Sequence, residues 1–438
     1  MTRLDALRIA AWLVPLAVAC SAIYVRRHRP RIAAATILSF AWNAWTLLAV
    51  NLVALELGWW SFAPGPSVLG VAVEPWLGWS MWWSVVALMA HKRPVWVTVV
   101  GVAWLDVIAM PLLEPLVILR EGWLIGEGIA LVVALVPGFF AARWTLARTY
   151  LARRVLLQVG ASVALFMWIV PSIAFDRSGG WAAVLTLPTA YLGLVGQIVA
   201  IAGAPGARAA LELVQRGDGT PLPYDATTRL VTSGPYAYVR NPMQVAMVLV
   251  YLLAGILLWE EWLIAAAVVA FSYGAGLAFW HEDVALEERF GKGWADYRSK
   301  VLPWIPRFQP VIDKEATLLV AFSCGVCSSI GRWFIVRRPT GLNIAPAEES
   351  ADPELRRVTY VPADGRPVRG VAAIARALEH INLGWAFVGW ILAMPGVSHL
   401  AQLMSDVWGP GPQRVAGPPY DRCAVEPLAH PAIGKAER

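Results

Sequence analysis

Long apolar runs, separated by short polar or basic stretches, recur along the first 280 residues. About 20 consecutive apolar residues in a helix cross the ~30 Å hydrocarbon layer of a bilayer. Runs at about 5–24, 33–56, 68–90, 94–119, 123–142, 155–175, 181–204, 241–258 and 262–280 have that length and predict nine membrane spans. The first lacks a small-residue cleavage site and is followed closely by basic linkers and more spans, the pattern of a retained span rather than a signal peptide.

Beyond residue 310 the pattern shortens and alternates. "ATLLVAF" suits a buried strand, "SSIGRWFIVRR" a helix, "LNIA" a second strand, and "RVTYVPADGRPVRG" a hairpin turning at Asp364-Gly365. "VAAIARALEHI" reads as a helix. The next run, "LGWAFVGWILAMPGV", is apolar but interrupted by Gly and Pro, and is expected to pack as a helix of a small domain, with an interfacial or re-entrant segment as the alternative. The chain therefore divides into a five-span region (1–150), a four-span region with a long loop and a charged stretch (151–310), a soluble part (311–408) and a tail (409–438) whose Gly and Pro predict disorder.

Composition agrees, with 58% hydrophobic and 15% charged residues. Charge gives orientation. Arg26, Arg27, Arg29, Arg31, Lys92, Arg93, Arg143, Arg148, Arg153, Arg154, Arg208, Arg216, Arg229 and Arg240 fall in odd-numbered loops, against Arg3, Arg8, Arg120 and Arg177 on the other side. The positive-inside rule puts the odd loops and the C-terminus in the cytoplasm and the N-terminus outside. Trp59, Trp60, Trp123, Trp181, Trp259 and Trp262 fall at the predicted outer ends, as an aromatic belt does. The net charge of +6 then reflects topology, and nucleic acid is not implied as a partner.

Chemistry concentrates at two places in the second region. "GPYAYVRNPMQVAMVL" opens the eighth span, with Asn241 as its cap and Pro242 at the first helical position, where a missing N–H costs nothing. "WHEDVALEERFGKGWADYRSKVLPWIPR" leaves the ninth, with Glu282 and Asp283 where the chain exits the membrane. Acids at that depth need a partner. Two antiparallel spans joined by a short turn bring the Arg240 loop and these acids to one membrane level, where carboxylates beside Arg and Tyr suit a cationic cofactor group.

"TTRLVTSGPYAYVRNPM", followed some forty residues later by "EDVALEERFGKGWADYRSKV", resembles the paired signature of the isoprenylcysteine carboxyl methyltransferase and phospholipid methyltransferase families, over about residues 185–307. The resemblance implies an S-adenosylmethionine-dependent methyltransferase whose lipid or other lipophilic acceptor arrives from the bilayer. By position, Thr228, Arg229, Leu230, Val231, Tyr236, Asn241, Pro242, Met243 and Gln244 would line the cofactor, and Glu282 would bind its charged methionine end. Asp283 stands where the pattern has a second glutamate. Gln244 replaces the usual Tyr, and Ala278 stands at the isoprenylcysteine branch's substrate arginine, which argues against a prenylcysteine carboxylate as acceptor. An acceptor amine, phenol or thiol must lose a proton, and His281 and Asp283 are the candidate bases beside Arg240.

Cys324-Gly-Val-Cys327 follows a predicted strand and opens a predicted helix, whose N-terminus favours a thiolate at Cys324. Residues 316–408 resemble the thioredoxin-like "DCC" oxidoreductases, with Ala321 at that family's Asp. A redox dithiol with a thiol partner is the corresponding expectation. A zinc site would need four ligands, and none is expected. In the first region Glu74, Asp106, Glu114 and Glu127 lie within or near spans, and intramembrane acids are functional candidates, here as a second site or substrate portal.

The expected protein is thus a mainly α, polytopic membrane helix bundle with a small cytoplasmic α/β thioredoxin-like domain. Its alternatives are a membrane-anchored thiol-disulfide oxidoreductase and a non-catalytic lipid-binding protein.

Overall fold

A computed structural model describes residues 2–26, 31–217, 219–220, 227–350, 355–409 and 411–412. The side chains of residues 277–282 are outside that description, as is the expected disordered tail beyond residue 412. The chain forms two compact units, one of residues 1–192, 218–228 and 258–266, the other of 193–217, 229–257 and 267–438.

The first unit is a polytopic helical bundle. Its helices are α1 (Arg3–Val25), α2 (Ile32–Glu56), α3 (Val73–Ala90), α4 (Val95–Leu112), α5 (Trp123–Ala130), α6 (Val136–Ala147), α7 (Leu151–Ala164), α8 (Val170–Phe175) and α9 (Gly180–Leu185). Helix α1 buries Ala11, Pro15 and Ala19, spaced by four, and against them α3 presents Gly78, where any Cβ would collide with the Ala11 carbonyl. Small residues let backbones touch, the main source of helix association where lipid removes the hydrophobic drive. A polar seam adds to it: Asn43 of α2 donates to Ser84 Oγ of α3 at 3.1 Å, both fully buried.

Helices α5 and α6 run on through a π-turn at Leu131–Leu135, and α7 and α8 through another at Leu165–Ile169. Pro137 and Pro171 follow these turns. A proline ring clashes with the carbonyl four residues back, and one extra residue in the turn relieves the clash while the helix continues.

The second unit starts with α10 (Thr189–Gly217, whose first four residues belong to the first unit) and continues with α11 (Pro242–Leu258), α12 (Glu261–Tyr273, divided between the units), α13 (Phe279–Phe290) and α14 (Lys292–Lys300). A four-stranded sheet follows, of β5 (Ala316–Val320), β6 (Leu342–Pro346), β7 (Thr359–Val361) and β8 (Val368–Arg369) in the order β6-β5-β7-β8. Strand β5 is parallel to β6 and antiparallel to β7, and β7 is antiparallel to β8. The parallel pair is joined by α15 (Gly325–Val336), and α16 (Val371–Leu378), α17 (Leu383–Leu392) and α18 (Pro395–Trp408) complete the chain. Leu318, Val320, Phe334, Ala373 and Ala377 form the core between sheet and helices, each large side chain contributing about 1.5–3 kcal/mol by leaving water.

Several expectations change. Among the described residues six helices are long and apolar enough to span, or seven if the bent pair α17–α18 counts as one, against the nine expected. The apolar run at 68–90 yields α3 only from Val73, because its start forms the hairpin of β2 (Ser67–Val68) and β3 (Val71–Ala72). The run at 94–119 ends as a helix at Leu112; beyond Pro115 it becomes β4 (Val117–Leu119), antiparallel to β1 (Trp60–Phe62). The expected loop after residue 204 is helical to Gly217, since "ARAALELVQR" consists of good helix formers whose charges are paired. The 359–369 hairpin forms with its tip at Gly365 (φ 115°), but Pro362 and Pro367 lack the N–H to extend the ladder, so the loop is six residues long, 362–367. Helix α17 packs as expected, burying Ala386 and Trp390, whereas α18, bent 86° from it at the break between Leu392 and Pro395, buries no residue.

On α10, Gly193 and Gly196 have nothing within 4 Å of an added Cβ, whereas one on Gly206 would stand 2.8 Å from Ala246 Cβ of α11. Gly206→Leu should therefore lower the melting temperature of the detergent-solubilised protein by several degrees, and Gly193→Leu should leave it unchanged, as followed by light scattering on heating.

Candidate functional site

The segment from Arg229 to Asn241 carries half of the expected cofactor residues, and its conformation is fixed from three sides. Gly234 takes a left-handed φ of 64°, and an added Cβ would stand 3.3 Å from Glu212 Cδ of α10. Ser233 Oγ donates to Glu212 Oε1 at 2.6 Å. A 3-10 turn, Gly234–Ala237, follows, and the amides of Tyr238 and Val239 both donate to the Pro235 carbonyl at 3.1 Å.

From the opposite side the extended stretch after α14 supplies backbone partners. The Ala237 carbonyl accepts from Val311 N–H at 2.9 Å, and the Tyr238 carbonyl from Arg307 N–H at 3.0 Å. The Arg240 and Asn241 amides donate to the Leu302 and Pro303 carbonyls at 2.9 and 3.3 Å. Tyr297 of α14, almost wholly buried, donates its hydroxyl to the Tyr236 carbonyl at 2.8 Å. Burial pushes the Tyr297 phenol well above its usual pKa, so it stays a donor.

The third side is the C-terminal part of the chain. Tyr238 is fully buried, its hydroxyl donating to the Glu379 carbonyl at 2.8 Å and its ring edge-on to Trp390 at 5.6 Å. Glu212, with no exposed surface, receives Arg208 Nη2 at 2.6 Å, Arg216 Nε at 3.0 Å and Arg376 Nη2 at 2.7 Å. Arg376 also reaches Glu379 at 3.2 Å, and Arg208 Nε lies 3.4 Å from that carboxylate. Burial opposes the charge of Arg376, but Glu379 and Glu212 outweigh it and raise its pKa. Sequence reading placed Arg208 and Arg216 among loop charges and missed Glu212 and Arg376; only the four-residue spacing of Arg208, Glu212 and Arg216 was visible.

The two signature stretches meet at Asp283. Trp294 Nε1 donates to its Oδ1 at 3.1 Å, Arg298 to Oδ2 at 2.6 Å, and Arg240 Nη1 lies 3.9 Å from Oδ1. The Arg240 guanidinium also stands 5.8 Å from the Trp294 ring centre. Burial lowers the pKa of Arg240, against the pull of Asp283. Asp283 is thus a carboxylate already engaged by an indole and two guanidiniums. Val231 and Tyr236 are buried with Ala209 and pack on Met243, while Leu230 packs on Trp294 and Tyr297. Thr228 and Arg229 are exposed, and Pro242 starts α11 as expected. Glu282 and His281 lie on α13, but their side chains are outside the described part, as is that of Ala278.

A third π-turn, Gly274–Ala278, precedes α13. No proline follows it closely, unlike the other two. A Cβ on Gly274 would stand 2.7 Å from Gln244 Oε1 and 2.9 Å from the Trp304 ring. Gln244 Oε1 is buried and has no hydrogen-bond partner among the described residues. A buried acceptor without a donor is uncommon in a folded chain and costs about 1–3 kcal/mol.

Cys324 caps the N-terminus of α15, and its carbonyl accepts from Ser328 N–H at 2.8 Å. Both Cys324 and Cys327 are free thiols. Burial opposes ionisation at each; at Cys324 hydrogen bonds from the Cys327 amide and thiol and the Val326 amide prevail and lower its pKa, whereas Cys327 is pushed up to about 12. Ala321 supplies no acid, but Glu348 does: its Oε1 accepts from Ser323 N–H and Oγ, both at 2.7 Å, and its charge acts on both thiols.

A family model described as phospholipid methyltransferase matches residues 217–293, a stretch that includes both the Arg229–Asn241 segment and Asp283. No curated protein and no solved structure matches the chain. Over that stretch the chain carries the signature of a membrane methyltransferase family.

Two tests follow from this geometry. Arg376→Met leaves Glu212 buried with one guanidinium fewer, and breaking such a pair costs about 3–5 kcal/mol; the expected result is a lower melting temperature together with faster proteolysis of the 229–241 segment. Iodoacetamide should label Cys324 before Cys327 at every pH below about 12, because the Cys324 thiolate forms first as pH rises, which peptide mass spectrometry resolves.

Proposed function

We propose that the protein is an integral membrane methyltransferase that uses S-adenosylmethionine and methylates a lipid or other lipophilic acceptor, with its C-terminal domain in the cytoplasm. The observation that carries this reading is the meeting of the two signature stretches at Asp283, Trp294 and Arg240, behind a loop pinned on three sides. The residues fit the cofactor: Gln244 Oε1 is a buried acceptor without a donor, and Leu230, Val231 and Met243 give an apolar lining. Gln244 would accept from an amino group of the cofactor or acceptor, and Glu282 would hold the positively charged methionine end.

The bound cofactor supplies an electrophilic methyl group. The protein's task is then alignment and exclusion of water. Tyr297 and the Leu302–Val311 backbone hold the Tyr236–Asn241 segment in place, and Asp283 fixes Arg240. With both Asp283 oxygens committed to donors, Asp283 is not free to act as base, which leaves His281 as the remaining candidate for an acceptor that must lose a proton.

A second reading concerns the C-terminal domain alone. The opposed shifts of Cys324 and Cys327 suit a thioredoxin-like dithiol: the Cys324 thiolate attacks a partner disulfide, and Cys327 displaces the partner's second thiol, so that two electrons pass to the partner and a Cys324–Cys327 disulfide remains.

Radiolabelled S-adenosylmethionine incubated with protein in nanodiscs and total lipid extract should yield a labelled, extractable product. Glu282→Ala should abolish cofactor binding by calorimetry while Cys324→Ser retains it; absence of binding by the wild-type protein refutes the proposal. Gln244→Leu removes an unpaired acceptor, so stability should hold or rise while kcat/KM falls about tenfold, the loss of one hydrogen bond made only to ligand.

A further inference from the structure

Helix α18 is built the wrong way round for water. Along it Ser398, Ala401, Gln402 and Asp406 recur at intervals of three and four, and these are the residues partly covered by the rest of the chain. Val397, Leu400, Leu403, Met404, Val407 and Trp408 form the opposite stripe, each between 42% and 77% exposed. A helix on the surface of a soluble domain does the reverse and buries its apolar stripe. The polar stripe is also fastened. Arg357 grips the Asp406 carboxylate with both terminal nitrogens, Nη1 to Oδ1 at 2.6 Å and Nη2 to Oδ2 at 2.9 Å. Gln402 Oε1 accepts from the Val371 N–H at the start of α16 at 2.9 Å, and Gln402 Nε2 donates to Asp406 Oδ1 at 2.8 Å. A roll of α18 that buried the apolar stripe would break all of these bonds.

What covers the stripe follows from where α16 and α17 rest. Helix α16 places Arg376 on Glu212, near the C-terminal end of α10, and α10 is long and apolar enough to span a bilayer. Helix α17 packs Ala386 and Trp390 on Ala237 and Tyr238, just ahead of the start of the apolar helix α11. The end of α10 and the start of α11 are where these helices leave the membrane, so α16 and α17 sit at its edge. Only Ala393 and Met394 separate α17 from α18. Crossing is excluded by length, since the 14 residues of α18 rise about 21 Å against a ~30 Å hydrocarbon layer, and the 86° bend keeps α17 and α18 from forming one straight span. The stripe carries no charge, and Trp408 at its end is of the type that settles at headgroup level.

We infer that α18 is an interfacial helix that docks the C-terminal domain on the bilayer surface, with its apolar stripe among the upper acyl chains and its polar stripe holding the domain. Lipid covers such a stripe along its whole length without needing a matching shape. The domain is then tied to the membrane twice, through Glu212 and Tyr238 on one side and through α18 on the other. No covalent step is involved, and the inference is independent of the methyltransferase reading.

The test uses the full-length protein in phosphatidylcholine nanodiscs that include a phosphatidylcholine with a diazirine in one acyl chain, discs holding one protein chain being separated by size from discs holding two. After irradiation, peptide mass spectrometry should find lipid adducts on Leu400, Leu403 and Val407 in one-chain discs, together with adducts on α10 and none on α16. Leu400→Asp combined with Leu403→Asp puts acids in the stripe without touching the Arg357 and Val371 contacts. Circular dichroism should then be unchanged while α18 adducts fall at least ~fivefold and α10 adducts stay. Adducts on α10 but none on α18 in one-chain discs of the wild-type protein overturn the inference, whether or not the variant folds. Loss of α18 adducts on passing from one-chain to two-chain discs assigns the stripe to a second copy and overturns it as well.

Discussion

The second unit depends on one buried carboxylate. Glu212 on α10 is closed off from solvent and neutralised by Arg208, Arg216 and Arg376, while its Oε1 also holds Ser233. An unpaired carboxylate would not remain charged at such a site, and a fully paired one tolerates little movement of its partners. Two of those partners belong to α10 itself, one to α16 and one to the loop leading into α11. The carboxylate therefore fixes the loop's entry point and the place of the C-terminal helices together, which is why residues 193–217, 229–257 and 267–438 form a single compact unit.

Backbone satisfaction supplies the second constraint. Residues 233–241 have no regular secondary structure beyond one 3-10 turn, yet most are buried, so their amides and carbonyls need partners. The stretch from Leu302 to Val311 provides them, and its three prolines, Pro303, Pro306 and Pro310, keep it extended and unable to fold back into helix. Loop and strap order each other. Tyr297 and Tyr238 close the two ends, one donating to the loop and the other donating from it to Glu379.

Much of the fold is legible in the sequence where one local rule decides it. The apolar runs of α1, α2, α10 and the helices around Pro137 and Pro171 are readable by length, and the alternation beyond residue 310 gives every element from β5 to α17 in order. Reading fails where a distant partner decides: β4 leaves the membrane-like run of α4 to pair with β1, nearly sixty residues earlier. At the site, Arg240 and Asp283 were legible because two motifs place them at one depth. Glu212 and Arg376 were not, since they are 164 residues apart and neither lies in a motif.

Gln244 shows how local and distant effects combine at one residue. In sequence it is merely the position where a tyrosine is usual, and its neighbours are plain apolar helix. In the fold its amide oxygen faces the bare backbone of Gly274 within an irregular turn, under the ring of Trp304. Gly274 leaves room for that oxygen, because a methyl there would stand 2.7 Å from it and 2.9 Å from the Trp304 ring. The smaller, acceptor-bearing side chain and the glycine therefore belong together. An acceptor left without a donor there costs the fold about 1–3 kcal/mol, a cost that only a donor from outside the described residues would offset.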